Sequence, residues 1–225
     1  MNAKRKDIVL FAIIAAVALI TFVAIPVVYL SKSKPPGGSN KGQESSWLYG
    51  KPDARWTITE YADLECPYCR TYTPQLMQWI DGQTDVNLVW HHFPLQMHGA
   101  AALKEARMVQ CAGKLGGGKA FWNAIEQVLQ HTRGDGQGLV TPIVLSGIDI
   151  AELDRCAALD TEVAQEVDRQ LQLAQQAGVA ATPTIEITDT QTGRSVRLEG
   201  PIDEVSILSA MDSLAFQPIG GPKGS

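Results

Sequence analysis

Charge is missing from one long stretch near the start of this 225-residue chain. Residues 8–30 include no Asp, Glu, Lys or Arg, and about 20 predominantly apolar residues are enough for a helix to cross a bilayer. A cleavable signal peptide is the alternative, although its apolar core usually holds only about 7–15 residues. The sequence therefore predicts that residues 1–30 form a retained transmembrane anchor, with a cytoplasmic basic N-terminus and the remaining chain beyond the membrane.

An excess of basic residues is also missing. The chain has 19 Lys and Arg residues against 24 Asp and Glu residues, a formal net charge of −5 at pH 7. Domains that bind nucleic acid carry a basic patch or stripe. The charge balance therefore argues against nucleic acid as a partner.

Apolar residues are absent from residues 31–46, which consist mainly of Ser, Pro, Gly and Lys. Such a composition packs poorly and is typical of a flexible linker. A folded domain is expected over residues 47–216. Residues 217–225, with several Gly and Pro residues, are expected to form a loose tail.

Alternating side chains predict a strand over residues 55–64, with Glu60 on its otherwise apolar face. A second strand is predicted over residues 86–93. Residues 69–80 between them have a helical composition, and we expect that helix to be interrupted at Pro74. A strand–helix–strand order predicts a parallel pair of strands joined by a crossover helix.

The helical pattern dominates from about residue 98 to residue 178, including a long run over residues 151–178. Beyond it, residues 184–188 and 195–198 are expected to form a hairpin. A final helix is predicted over residues 203–214, with an apolar face made by Val205, Leu208, Met211 and Leu214. The expected fold is therefore α/β, with a helical block inserted between two β segments.

The motif Cys66-Pro67-Tyr68-Cys69 follows the first predicted strand and opens the next helix. Unpaired N–H groups and the helix dipole at such a position favour a thiolate on Cys66. That thiolate can attack a disulfide, and Cys69, one turn further on, can resolve the mixed disulfide. A C-x-x-C motif can also be half a zinc site or a structural clip. Its place after a strand favours a redox-active disulfide.

The segment EYADLECPYC, the helical insertion and the later Ala181-Thr182-Pro183-Thr184 together resemble the DsbA family of thioredoxin-fold disulfide oxidoreductases. The resemblance covers roughly residues 47–215. It implies a thioredoxin fold with an inserted helical domain, no cofactor, Cys66 as the nucleophile and Cys69 as the resolving cysteine. It also implies that Pro67, Tyr68, Thr182 and Pro183 form a substrate-binding surface. The peptide bond between Thr182 and Pro183 is expected to be cis.

Two acidic residues lie close to the motif. Glu60 matches the position of an acid that, in the family, accepts or relays the proton of the second cysteine. An edge position or a carboxylate that reaches solvent is the alternative. Glu65, directly before Cys66, is expected to face solvent.

The two remaining cysteines lie in the helical block. Four cysteines allow three connectivities, and the short loop between Cys66 and Cys69 favours their pairing. Elimination then predicts a structural disulfide between Cys111 and Cys156, with two buried free thiols as the alternative.

Three histidines, His91, His92 and His98, suggest a soft-metal site beside the redox cysteines. Adjacent strand residues point to opposite faces, however, so His91 and His92 cannot easily share one ion. We therefore expect no bound metal.

The resemblance implies an enzyme that introduces disulfides into exported polypeptides and is reoxidised by a DsbB-like membrane partner. Thr182-Pro183 combined with CPYC is also similar to the DsbG-like branch, so a DsbG/DsbC-type isomerase or reductase served by a DsbD-like partner is the alternative. Its clients would be misoxidised rather than reduced polypeptides. We expect a monomer in the bacterial inner membrane, with its catalytic domain in the periplasm.

Overall fold

The computed structural model describes residues 47–216. The predicted anchor, linker and tail lie outside these residues. Among the residues that are described, no helix is both long enough and apolar enough to span a bilayer.

A five-stranded mixed sheet organises this part of the chain. The strands are β1 Leu48–Gly50, β2 Trp56–Ala62, β3 Val86–His92, β4 Thr184–Asp189 and β5 Ser195–Glu199. They lie in the order β1-β3-β2-β4-β5, in which the β2–β3 pair is parallel and the other neighbours are antiparallel.

The helices of the described range lie between and after these strands. They are α1 Pro67–Asp81, α2 Gly99–His131, α3 Ile150–Leu159, α4 Thr161–Gln176 and α5 Glu204–Ala215, with a 3₁₀ turn at Gln96–His98. Helix α1 connects β2 to β3, so the predicted parallel pair with a crossover helix is confirmed.

Neighbouring residues of β2 show how the helices cover the sheet. Glu60 accepts a hydrogen bond from Thr73 of α1, whereas Tyr61 packs in a separate apolar cluster with Ala174 of α4. Because successive strand residues point to opposite faces, α1 and α4 cover opposite sides of the sheet.

The expected interruption at Pro74 is wrong, because α1 runs through it from Pro67 to Asp81. A proline inside a helix costs about 3 kcal/mol or more. Complete burial of a large apolar side chain contributes roughly 1.5–3 kcal/mol, and Leu76, Met77 and Ile80 are all buried in the turns after Pro74. Packing therefore offsets the lost hydrogen bond.

Two breaks divide the helical block. Helix α2 is broken at Gly117, whose φ of 76° is left-handed. The continuous run predicted over residues 151–178 is two helices that meet at Asp160. Its carboxylate accepts hydrogen bonds at 3.1 Å from the N–H groups of Glu162 and Val163 and so caps α4.

The predicted apolar face of the last helix is partly wrong. Val205 is 76% exposed and Leu208 is 48% exposed, whereas Ile207 is buried with Met211 and Leu214. Both sets have helical spacing and share two members, so periodicity alone cannot choose between them. Strand β1 was not predicted, since three residues are too few to show alternation.

Candidate active site

The junction of β2 and α1 places Cys66 at the N-cap of α1, with Pro67 at the first helical position. The N–H of Cys66 donates to the carbonyl of Asp63 at 3.1 Å, and the Cys66 carbonyl accepts from the N–H of Arg70 at 3.0 Å. Proline suits this position because its missing N–H would have no helical partner. The thiol is thus fixed at the positive end of the helix dipole.

The two cysteines of the motif are free thiols and differ little in burial. Cys66 is 3% exposed and Cys69 is fully buried, whereas Tyr68 between them is 64% exposed. The motif therefore reaches the surface through Pro67 and Tyr68, the two residues between the cysteines.

The loop before β4 completes the surroundings of Cys66. The peptide bond between Thr182 and Pro183 is cis, and the Thr182 carbonyl accepts a hydrogen bond from the Cys66 thiol at 3.4 Å. The Thr182 hydroxyl is buried without another partner, so it is free to donate to a thiolate.

The two thiols have opposite electrostatic surroundings. A hydrogen bond from the Cys69 thiol is the main cause that lowers the pKa of Cys66, to about 5; burial opposes this, and the Thr182 side chain and backbone N–H groups support it. Burial is the main cause that raises the pKa of Cys69, assisted by its bond to Cys66 and by the charge of Glu60. Cys66 is therefore the thiolate of the pair at neutral pH.

Glu60 is a fully buried carboxyl that interacts electrostatically with both thiols. Its Oε1 accepts a hydrogen bond from Thr73 at 2.7 Å, and its Oε2 has no partner. Burial raises the pKa of Glu60 to about 8, although the bond from Thr73 opposes the shift. Most Glu60 side chains therefore hold a proton at pH 7.

The expectation that Glu65 faces solvent is wrong, because its side chain is fully buried. It accepts hydrogen bonds from the Thr132 hydroxyl at 2.7 Å and from the N–H groups of Asp135 at 3.2 Å and Gly136 at 2.7 Å. Burial favours the neutral form, but hydrogen bonds, including one from Glu105, outweigh it and lower the pKa of Glu65.

Asp63 was not singled out from the sequence, yet it organises the loop before Cys66. Its buried carboxylate accepts hydrogen bonds from the N–H of Glu65 at 2.8 Å, from the N–H of Leu95 at 2.7 Å and from His98 at 2.7 Å. Burial raises the pKa of Asp63 in spite of these bonds. The sequence signal that could have identified Asp63 was its position three residues before the CPYC motif.

The three histidines are dispersed. His98 pairs with Asp63, His91 bonds to the Gln170 carbonyl at 2.8 Å, and the ring of His92 accepts from Trp90 at 2.9 Å. Burial lowers the pKa of His92 to about 3. Each ring thus has a local role in packing.

Cys111 of α2 and Cys156 of α3 are joined by a disulfide, with their Cα atoms 6.0 Å apart. That separation is ordinary for a disulfide. The bond ties two helices of the insertion and lies apart from the CPYC motif in the sequence.

A buried dithiol at a helix start, beside a cis-proline loop on a mixed sheet, defines the class of thioredoxin-fold redox proteins. The family model described as "Thioredoxin" matches residues 42–202. DsbA2 of Pseudomonas aeruginosa is 50% identical, with a TM-score of 0.71 over 76% of this chain and 93% of that chain. The chain therefore belongs to the thioredoxin family and, within it, to the DsbA-type protein disulfide oxidoreductases.

More distant structures share the fold. BdbD of Bacillus subtilis is 22% identical with a TM-score of 0.62, over 76% of this chain and 94% of that chain. The α-DsbA1 of Wolbachia pipientis is 20% identical with a TM-score of 0.59, over 77% of this chain and 92% of that chain. Together they confirm the predicted thioredoxin fold.

Among curated proteins, a Na(+)/H(+) antiporter NhaA 3 of Salinispora tropica is 30% identical over 182 residues, which cover 76% of this chain and 26% of the antiporter. The chain spans about a quarter of the length of the curated relatives it matches. The match therefore supports a shared segment and is no basis for assigning ion transport to this chain.

Proposed function

We propose that this DsbA-type enzyme works as an oxidase that introduces disulfides into exported polypeptides, with Cys66 as the nucleophile. The observation that carries the proposal is the stabilised Cys66 thiolate, held by Cys69, Thr182 and two backbone N–H groups. Stabilising the reduced form makes the corresponding disulfide a stronger oxidant. Tyr68 is neutral and adds no positive charge, so we expect a moderate rather than an extreme oxidant.

The reaction begins from the Cys66–Cys69 disulfide. A thiolate of the client attacks the Cys66 sulfur, a mixed disulfide forms, and Cys69 leaves as a thiolate. A second client thiolate then attacks the client's own sulfur in the mixed disulfide and releases Cys66. The client loses two electrons and gains a disulfide, and the enzyme is left as a dithiol. A membrane redox partner of the DsbB type would reoxidise it.

Glu60 is proposed to supply the proton that Cys69 needs on leaving. A buried thiolate is costly, and burial holds the pKa of Cys69 above its ordinary value. Because the pKa of Glu60 is about 8, its carboxyl can donate near neutral pH and take the proton back when Cys69 is oxidised again.

Client backbone is proposed to bind across Pro67, Tyr68, Thr182 and Pro183. Tyr68 offers an exposed aromatic ring beside Cys66, and Thr182 already contacts the Cys66 thiol through its carbonyl. A client sulfur placed against Cys66 would therefore lie between these two side chains.

We further propose that the uncharged residues 8–30 anchor the enzyme in the inner membrane and leave the catalytic domain in the periplasm. The length of the uncharged run supports this. The disulfide between Cys111 and Cys156 fits an oxidising exported compartment.

Replacement of each active-site cysteine by serine tests the assigned roles. Cys66→Ser should abolish exchange. In Cys69→Ser the Cys66 thiolate can still attack a client disulfide, and the resulting mixed disulfides should accumulate because Cys69 is not there to displace the client. Non-reducing electrophoresis shows such adducts directly. Equal residual activity in both variants, without trapped adducts, would contradict the assignment.

The direction of exchange is tested with two substrates. The oxidised enzyme should convert a reduced dithiol peptide to its disulfide faster than the reduced enzyme rearranges a scrambled disulfide protein. Efficient rearrangement with little peptide oxidation would instead support a DsbG/DsbC-type isomerase.

A further inference from the structure

A second carboxyl, Glu105 of α2, meets Glu65 in the interior. Glu105 is only 2% exposed, and neither of its oxygens accepts a hydrogen bond from a donor. The two carboxyls lie close enough to interact directly, and each shifts the pKa of the other. Two carboxyl groups can share a hydrogen bond only if one of them holds a proton.

The surroundings decide which carboxyl keeps the proton. Glu65 accepts three further hydrogen bonds from Thr132, Asp135 and Gly136, whereas Glu105 accepts none. Burial, followed by the bond to Glu65 and the negative charges nearby, raises the pKa of Glu105 to about 9. The titratable or charged residues around the pair are Asp63, His98, Lys104, Asp135 and Asp154.

The partners of Glu65 belong to one glycine-rich loop, residues 132–138. Gly134, Gly136 and Gly138 have φ values of 73°, 81° and 80°, a left-handed geometry that favours glycine. The loop closes on itself through a bond from the N–H of Arg133 to the Gly138 carbonyl at 3.2 Å. The loop is therefore a closed turn in which the N–H groups of Asp135 and Gly136 donate hydrogen bonds to Glu65.

The same loop lies against the active site. A Cβ atom placed on Gly134 would be 3.9 Å from Pro67 and 3.9 Å from the guanidinium of Arg70. Pro67 belongs to the CPYC motif, and Arg70 is exposed one turn into α1. Gly138, at the other end of the loop, lies above Glu105, since a Cβ there would be 3.9 Å from Oε1.

We propose that Glu105 is a positioning residue for thiol–disulfide exchange: its protonated carboxyl donates a hydrogen bond to Glu65, and Glu65 holds the 132–138 loop as one wall of the client-binding surface beside Pro67. The inference rests on the proposed function in that clients reach Cys66 across this surface. Glu105 touches neither the client nor the reacting sulfurs and acts through Glu65 alone.

Glutamine and leucine are informative replacements for Glu105 because only glutamine can still donate a hydrogen bond to Glu65. Glu105→Gln keeps a donor of similar shape, whereas Glu105→Leu keeps only the apolar bulk. Glu126→Leu, an exposed position on the same helix, is the matched control. Each full-length variant is compared with the wild-type enzyme at pH 7.

In Glu105→Leu, hydrogen exchange of the Asp135 and Gly136 amides should accelerate about tenfold or more, because their acceptor is no longer held in place. The KM for oxidation of a dithiol peptide should rise several-fold, with kcat and the reaction of the active-site disulfide with dithiothreitol close to wild type. Glu105→Gln and Glu126→Leu should match the wild type in all three measurements.

A pH series tests the proton without relying on the leucine variant. Glu105 keeps its proton in the folded state up to about pH 9 but loses it near pH 4.5 when unfolded, so its contribution to stability falls as pH rises through that window. The melting temperature of Glu105→Gln, relative to wild type, should therefore rise by about 5 °C or more between pH 5 and pH 9.

Wild-type amide protection and KM in Glu105→Leu, or a flat melting-temperature difference in Glu105→Gln, would overturn the inference. A wild-type enzyme that reacts with dithiothreitol but oxidises no peptide would overturn the proposed function instead. The amide-exchange and melting measurements would then still decide whether Glu105 braces the loop.

Discussion

Glu60 and Glu65 are both fully buried, and they have opposite protonation states for a simple reason. One hydrogen bond, from Thr73, reaches Glu60, and burial raises its pKa to about 8. Glu65 accepts bonds from Thr132, Asp135 and Gly136, and its pKa is lowered. The number of donors that face a buried carboxyl, rather than burial itself, decides its charge.

The two carboxyls both precede Cys66 in the sequence, but their surroundings suit them to different roles. Glu60 accepts only the bond from Thr73, so it keeps the proton that we propose it carries for Cys69. Glu65 is committed to the 132–138 loop because its donors need an acceptor. The predictions below separate these two environments and begin with the change of largest expected effect.

Removal of the Cys111–Cys156 disulfide should cost the most stability and disturb neither environment. The bond closes a loop across a sequence separation of 45, for which the chain-entropy model gives roughly 4 kcal/mol at 25 °C. The double alanine variant should melt clearly lower by calorimetry, with peptide oxidation at low temperature unchanged. Loss of activity in a folded variant would show that the disulfide supports the site.

Glu65→Ala should destabilise by about 3 kcal/mol, since the buried Thr132 hydroxyl and two part-buried N–H groups lose a charged acceptor, at about 1 kcal/mol each. Denaturant unfolding at pH 7 measures the loss. Because the lowered pKa of Glu65 gives a contribution that is present above the unfolded pKa of about 4.5 and lost as pH falls below it, the difference should shrink in acid. A constant difference from pH 7 to pH 3 would contradict the ionised state of Glu65.

Glu60→Gln should change stability in the opposite direction. The folded pKa of Glu60 is raised from 4.5 to about 8, so wild-type stability falls as pH rises between those values. The glutamine variant avoids this loss, which reaches about 3 kcal/mol at pH 7. Turnover should slow, since the amide cannot relay a proton. A variant as fast as wild type across neutral pH would return Glu60 to a purely structural role.

Local sequence patterns were sufficient to predict the CPYC motif and the strand before it. The order strand–helix–strand along the chain was sufficient to predict the parallel β2–β3 pair. Glu65 was misjudged because its hydrogen-bond partners lie 67 to 71 residues further along the chain, in a loop whose packing no local pattern reports. Glu105 was missed for the same reason. The burial of Val205 and Leu208 was wrongly predicted because a helix can have several apolar faces, and the elements packed against it determine which face is buried.

The pKa of the Cys66 thiol tests the central claim most directly. Thiolate absorbance near 240 nm, followed by titration of the reduced wild-type enzyme with Cys66→Ser as the blank, should show one transition at a pKa of about 5, with Cys69 silent through neutral pH. A single transition near the ordinary cysteine value of about 8.5 would contradict the stabilised thiolate and, with it, the proposed oxidase.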